Sequence, residues 1–127
     1  MIVTNKPYIT LTEGNFQQEV VQSTQTVLVD FWASWCGPCQ AMNPTIQELA
    51  TEFSGKVTVG KVNVDEQPFL AAQFGIQSIP TMLVFQNGKV VDTVLGAVPK
   101  KVLVETLNGV LTKTKLQEPL GRELSSS

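Results

Sequence analysis

One stretch constrains this chain more than any other: the run Val27-Leu28-Val29-Asp30-Phe31-Trp32, which leads through Ala33-Ser34-Trp35 into Cys36-Gly37-Pro38-Cys39. The run is β-branched and aromatic without alternation, as expected of a strand covered on both faces of an α/β sheet. Pro38 suits the first turn of a helix, where its missing N–H would have had no partner. The order is therefore strand, turn, thiol pair, helix. Spaced in this way at a helix start, the two cysteines point to nearly the same side and can close a disulfide.

The flanking sequence supplies further βα units. Tyr8 to Leu11 predicts a short first strand, and Thr12 is placed to cap a helix reaching about Val21, with Phe16 and Val20 inward. After the thiols, Met42, Ile46, Leu49, Ala50 and Phe53 carry a helix that Pro44 should kink. Val57, Val59, Val62 and Val64 predict a second buried strand, followed by a shorter helix opened by Asp65 and Pro68 and stopped at Gly75. Asn87-Gly88 is a strong hairpin signal between Thr81–Phe85 and Val90–Leu95. Pro99 starts a last helix with Leu103, Leu107, Val110 and Leu111 on one face. The expectation is one domain over 1–112, with 113–127 a polar, mobile tail.

Composition removes several functions. With 127 residues, 43% hydrophobic and 16% charged, the chain is an ordinary globular domain. A net charge of −2 without a basic block gives nothing to hold nucleic acid or an anionic membrane. No apolar run approaches the roughly 20 residues of a membrane span, and the start lacks a signal-peptide pattern. The expected setting is cytoplasmic, or an organelle stroma or matrix if a transit peptide has been removed, and the expected state is a monomer. There is no histidine and there are two cysteines, so Cys-His catalysis is excluded and a zinc site would need ligands from a second copy.

The thiol pair suits exchange better than stapling. A loop as short as Cys36 to Cys39 stabilises by roughly 2 kcal/mol on the chain-entropy model, against about 4.7 for one of 100 residues. The unpaired N–H groups and positive dipole end of a helix favour a thiolate, which makes Cys36 the attacking sulfur. Cys39, one turn in, fits the resolving thiol. Asp30 inside the apolar run is either desolvated, with a raised pKa suited to proton transfer, or a strand-end carboxylate facing solvent. Lys61 would lie beside it if the two strands are adjacent, or else occupy an exposed strand position.

The segment Trp32-Ala33-Ser34-Trp35-Cys36-Gly37-Pro38-Cys39 resembles the active-site signature of the thioredoxins. The likeness extends from about Tyr8 to Leu111 and takes in Asp30, Pro44, Lys61, Ile79-Pro80-Thr81, the Asn87-Gly88 turn and Gly96. It implies the thioredoxin fold, a central five-stranded mixed sheet flanked by four helices. It also implies that Pro80 is a cis-proline facing the disulfide and that the Ile79 backbone binds an extended substrate segment. Asp30 would be buried under Cys39 and assist its deprotonation, with Lys61 tuning it. Trp35, Gly37, Pro38, Ile76, Ile79, Pro80, Gly96 and Ala97 would form the surface that meets protein substrates, with Trp32 packed beneath. Gln40 departs from the pattern, because the family usually has lysine or arginine after the second cysteine.

The resemblance implies a protein-disulfide reductase in which Cys36 attacks and Cys39 resolves. The Gly37-Pro38 dipeptide favours this over oxidase and isomerase relatives, which usually carry histidine there. No flavin or nicotinamide motif is present, so no cofactor is expected. Electrons would come from a thioredoxin reductase, NADPH- or ferredoxin-dependent, and the substrates would be disulfide-containing proteins. The alternative is a binding module that uses the apolar rim around Trp35, with the redox chemistry incidental.

Overall fold

The structure, a computed structural model, describes residues 7–126, with side chains as far as 113. Its centre is β2 (Thr26–Trp32), in which every residue before Trp32 is buried. On one side β2 pairs in parallel with β3 (Val57–Asn63), and β3 in turn with β1 (Ile9–Thr10). On the other side it pairs antiparallel with β4 (Thr81–Gln86), which pairs with β5 (Lys89–Leu95). The order β1-β3-β2-β4-β5 is the expected five-stranded mixed sheet. Four helical segments accompany it: a π-helical turn (Gln17–Val21), α1 (Gly37–Glu52), α2 (Pro68–Gln73) and α3 (Lys100–Ser126). The tail expected over 113–127 involves side chains outside the described residues.

Alternation along the strands divides the core into two layers. Leu28, Val59, Met82 and Val84 face α1 and α3, packing on Met42, Ile46, Leu49, Leu103 and Leu107. Val27, Val29, Phe31, Val62, Leu83 and Phe85 face the opposite way, onto Phe16, Val20 and Leu70. Gly60 lies on this second face, where a Cβ would stand 2.8 Å from Leu11 Cγ and closer still to Cδ1. Leu11 is fully buried and cannot retreat, so the close approach of β1 to β3 needs glycine here.

Local chemistry explains the ends of the elements. Thr12 does not cap the first helical segment, whose N-cap is Phe16 with no side-chain bond; it closes the turn ahead of it, its Oγ1 accepting from the Asn15 N–H at 3.2 Å while Asn15 Oδ1 accepts from the Thr12 N–H at 2.8 Å. The exchange has the reciprocal pattern of a capping box but lies in the turn before the helix. The helix that follows is π rather than α, closed by the Gln22 N–H on the Gln17 carbonyl at 2.9 Å. Helix α1 continues through Pro44 to Glu52, although the proline has no N–H to bond back one turn. Asn87 and Gly88 both take positive φ, 54° and 77°, the backbone of a tight primed turn.

Asp65 does not open α2. The Phe69 N–H is satisfied instead by Glu13 Oε2 at 2.9 Å, from far along the chain, and the Asp65 carboxylate is used elsewhere. Free N–H groups at a helix start take whichever acceptor the fold delivers.

Candidate active site

The site lies where β2 hands the chain to α1. Cys36 is the N-cap of α1 and is disulfide-bonded to Cys39. Its Sγ accepts the Cys39 N–H at 3.1 Å, one of the N–H groups that a helix start leaves unpaired. Both cysteines are closely packed, Cys36 5% and Cys39 1% exposed, against Ala33, Trp32, Val64 and Ile79. Trp32 thus packs beneath the thiols, as expected. Gly37 and Pro38 form the exposed first turn of the helix.

The opposite wall is the segment before β4. The Ile79–Pro80 peptide bond is cis, and the Ile79 carbonyl lies 3.9 Å from Cys36 Sγ. The Pro80 carbonyl accepts the Gly96 N–H at 2.8 Å, and Gly96 has a φ of 82°, a conformation natural to glycine. Ile76 packs in the same layer as Ile79. These contacts bring Cys36, Ile79, Pro80 and Gly96 together, while Ala97 is exposed next to Gly96. Trp35 stands 69% exposed on the thiol side, with its indole Nε1–H donating to Asp65 Oδ2 at 2.8 Å.

Asp65 is the residue that sequence reasoning missed. Its own N–H is held by Asn63 Oδ1 at 2.9 Å, an Asx-type turn that aims the carboxylate at Trp35. The Asn63-Val64-Asp65 sequence carried that turn signal, but pairing with Trp35 required the fold.

Asp30 is buried, 1% exposed, and neither of its carboxylate oxygens has a hydrogen-bond partner among the described residues. Burial pushes its pKa up from 3.8 to about 6, against an opposing pull from the Lys61 ammonium. Asp30 and Lys61 are register partners on β2 and β3, so both face the α1 layer. The desolvated alternative for Asp30 is therefore the correct one, and Lys61, 5% exposed, is no surface lysine. Its Nζ donates to Asn43 Oδ1 at 2.6 Å and sits over the rings of Trp32 (4.5 Å) and Tyr8 (5.1 Å). A cavity of about 400 Å³ opens beside it, lined in part by Tyr8, Gln40, Asn43 and Glu66.

Among the described residues no three His, Cys, Asp or Glu side chains are grouped to hold a metal ion. None of the helices there is long and apolar enough to cross a membrane.

A mixed sheet that carries a Cys-Gly-Pro-Cys disulfide at a helix N-terminus, opposite a cis-proline, defines a thiol-disulfide oxidoreductase. The Thioredoxin family profile matches residues 7–109, and the chain belongs to that family. Thioredoxin 1 of Synechococcus elongatus is 53% identical over 98 residues, which are 77% of this chain and 92% of the relative. Thioredoxin of Griffithsia pacifica is 53% identical over 102 residues, 80% of this chain and 94% of the relative. Thioredoxin of Chlorobaculum thiosulfatiphilum is 50% identical over 101 residues, again 80% and 94%. Membership implies, in general terms, a reductase and disulfide-containing proteins as partners.

Proposed function

We propose that this oxidoreductase works as a protein-disulfide reductase with Cys36 as the nucleophile. The supporting observation is the Cys39 N–H aimed at Cys36 Sγ from the start of α1, a donor that stabilises a thiolate on Cys36 once the disulfide is opened. The Cys36 thiolate attacks one sulfur of a target disulfide and forms a mixed disulfide, and the displaced target sulfur leaves as a thiolate that takes up a proton. Cys39 then loses its proton and attacks Cys36 Sγ. The Cys36–Cys39 disulfide forms, the second target thiol is released, and the target has gained two electrons and two protons.

Asp30 takes the Cys39 proton in this reading, since a carboxylate with a pKa of about 6 is mostly ionised at neutral pH yet basic enough to accept one. Lys61 tunes it. The target lies as an extended segment along the Ile79 backbone and Pro80, bordered by Trp35, Gly37, Pro38, Ile76, Gly96 and Ala97. A thioredoxin reductase, NADPH- or ferredoxin-dependent, restores the dithiol. The setting is a reducing compartment, cytoplasm or organelle stroma or matrix, where the chain acts as a monomer with its domain over 1–112 and an appended tail.

Turbidimetric insulin reduction checks the reading. The dithiol form should reduce insulin and Cys36→Ser should abolish the activity; an unchanged rate in that variant would refute it. Asp30→Asn should slow resolution of a mixed disulfide more than its formation, because only the second step deprotonates Cys39. Equal slowing of both steps, followed by stopped flow, would remove Asp30 from the mechanism.

A further inference from the structure

Two side chains of α1 take no part in the exchange described above, yet they join its two halves. The Lys61 ammonium donates to Asn43 Oδ1 at 2.6 Å, Asn43 Nδ2 donates to Gln40 Oε1 at 3.1 Å, and Gln40 Nε2 donates to the Ser34 carbonyl at 3.0 Å. Every link sets a donor against an acceptor, so the amides run in one direction from a buried cation to the backbone just ahead of Trp35 and Cys36. Gln40 and Asn43 are three apart and therefore adjacent on the helix surface. A lysine or arginine at position 40 would have no acceptor for Asn43 Nδ2, and the line would be broken.

The cation at the head of this line is the one that faces Asp30. Asp30 and Lys61 are register partners, but both Asp30 oxygens lack a hydrogen bond while Lys61 makes a short one to Asn43. The rings of Trp32 and Tyr8 support the ammonium in that position. An amide acceptor on α1 thus fixes the ammonium through one of its three N–H groups, while the buried carboxylate on the same face receives no hydrogen bond.

We propose that Asn43, oriented by Gln40, is a positioning residue that holds the Lys61 ammonium away from Asp30 and so sets how far that carboxylate is compensated when Cys39 resolves. The inference rests on the reading of Asp30 as the proton acceptor. The other titratable groups around the pair are few. Tyr8 comes from the segment before β1 and Glu66 from the turn after β3, both lining the cavity beside Lys61. From α1 come the cysteines, which do not titrate as a disulfide. From β4 comes Met82, the register partner of Asp30, and α3 brings Leu103 and Leu107 to this layer. Burial raises the Asp30 pKa and the Lys61 charge lowers it, so the position of the ammonium is the adjustable quantity.

The test follows the Asp30 carboxyl by carbon-13 NMR in the oxidised full chain across pH. Asn43→Ala removes the acceptor, frees Lys61 for Asp30, and should lower the Asp30 midpoint by about one pH unit, the low end of the effect of an adjacent opposite charge. Asn43→Asp keeps the ammonium in place and adds a negative charge, so it should move the midpoint upward. Gln40→Ala should give a smaller downward shift, and this exposed site keeps the test available if Asn43→Ala does not fold. In a Lys61→Met background the downward shift of Asn43→Ala should disappear.

An unmoved midpoint in both Asn43→Ala and Gln40→Ala, or shifts of the same sign in the two Asn43 variants, overturns the proposal. The pH profile of mixed-disulfide resolution separates it from the underlying reading. A midpoint that moves without the rate profile following supports the positioning role and removes Asp30 from the resolving step.

Discussion

The two faces of the sheet are made from alternate residues of the same strands, and they are built to opposite ends. On one face Phe85 meets Phe16 and Phe74 at ring-centroid distances of 5.8 and 5.4 Å, and Phe16 meets Phe74 at 5.3 Å. Such tilted and edge-on aromatic packing supplies apolar burial with an added contribution from ring geometry. The other face holds both of the charged side chains buried among the described residues, Asp30 and Lys61, under the helix that carries the thiols. A buried carboxylate without a hydrogen bond is destabilising, so this is the face on which apolar packing is given up. Moving one residue along β2, from Val29 to Asp30, passes from one regime to the other.

The largest effect should come from the aromatic face. Phe85→Ala removes a fully buried ring that meets two others edge-on and should cost about 3–5 kcal/mol in urea unfolding. The insulin-reduction rate of the molecules that remain folded should stay unchanged. A large loss of that rate would mean the two faces are not separable.

Asp30→Asn should act in the opposite sense. The carboxylate is protonated more readily folded than unfolded, so the native state binds more protons between pH 3.8 and about 6, and stability falls as pH rises through that window. At about 1.4 kcal/mol per pH unit, a shift of this size corresponds to about 3 kcal/mol lost by pH 8. The neutral asparagine avoids the loss. The variant should therefore unfold later than the wild type at pH 8, with the two converging below pH 3.8. Equal stability at both pH values would show that Asp30 is solvated or neutralised, and would erase the contrast between the faces.

The smallest effect is expected at Gly60. Its alanine variant forces a methyl against Leu11 and should cost about 1–3 kcal/mol, independent of pH. Because Gly60 precedes Lys61 but points to the other layer, resolution by Cys39 should keep its pH profile. A shifted profile would show that strain on the aromatic face reaches the Lys61 side chain, and denaturation and kinetics on the same preparation read both quantities.

Much of this site was open to reading before any fold was known, for reasons that are local. The Val27–Trp32 run, Pro38 and the cysteine spacing declare a strand, a helix start and a closable thiol pair within a few residues of each other. Asn87-Gly88 declares its turn because few residues accept positive φ. The fate of Asp30 was open, since a carboxylate inside an apolar run can be buried or can face water from a strand end. The pairings of Asp65 with Trp35 and of Asn43 with Lys61 carried no usable signal, because each joins segments far apart in sequence.

The sequence by itself determined the alternation of strands and helices, the identity of the sulfur pair and the absence of any imidazole chemistry, all properties of adjacent residues or of composition. The tertiary structure decided the rest. It put Asp30 and Lys61 in register and left the carboxylate without a hydrogen bond from the described residues, turned Asp65 toward Trp35 rather than toward α2, and laid Ile79 and Pro80 across from Cys36. These outcomes depend on strand pairing and on helix docking over long sequence separations. Burial and hydrogen-bond partners are set by such assembled neighbours, not by the residues on either side.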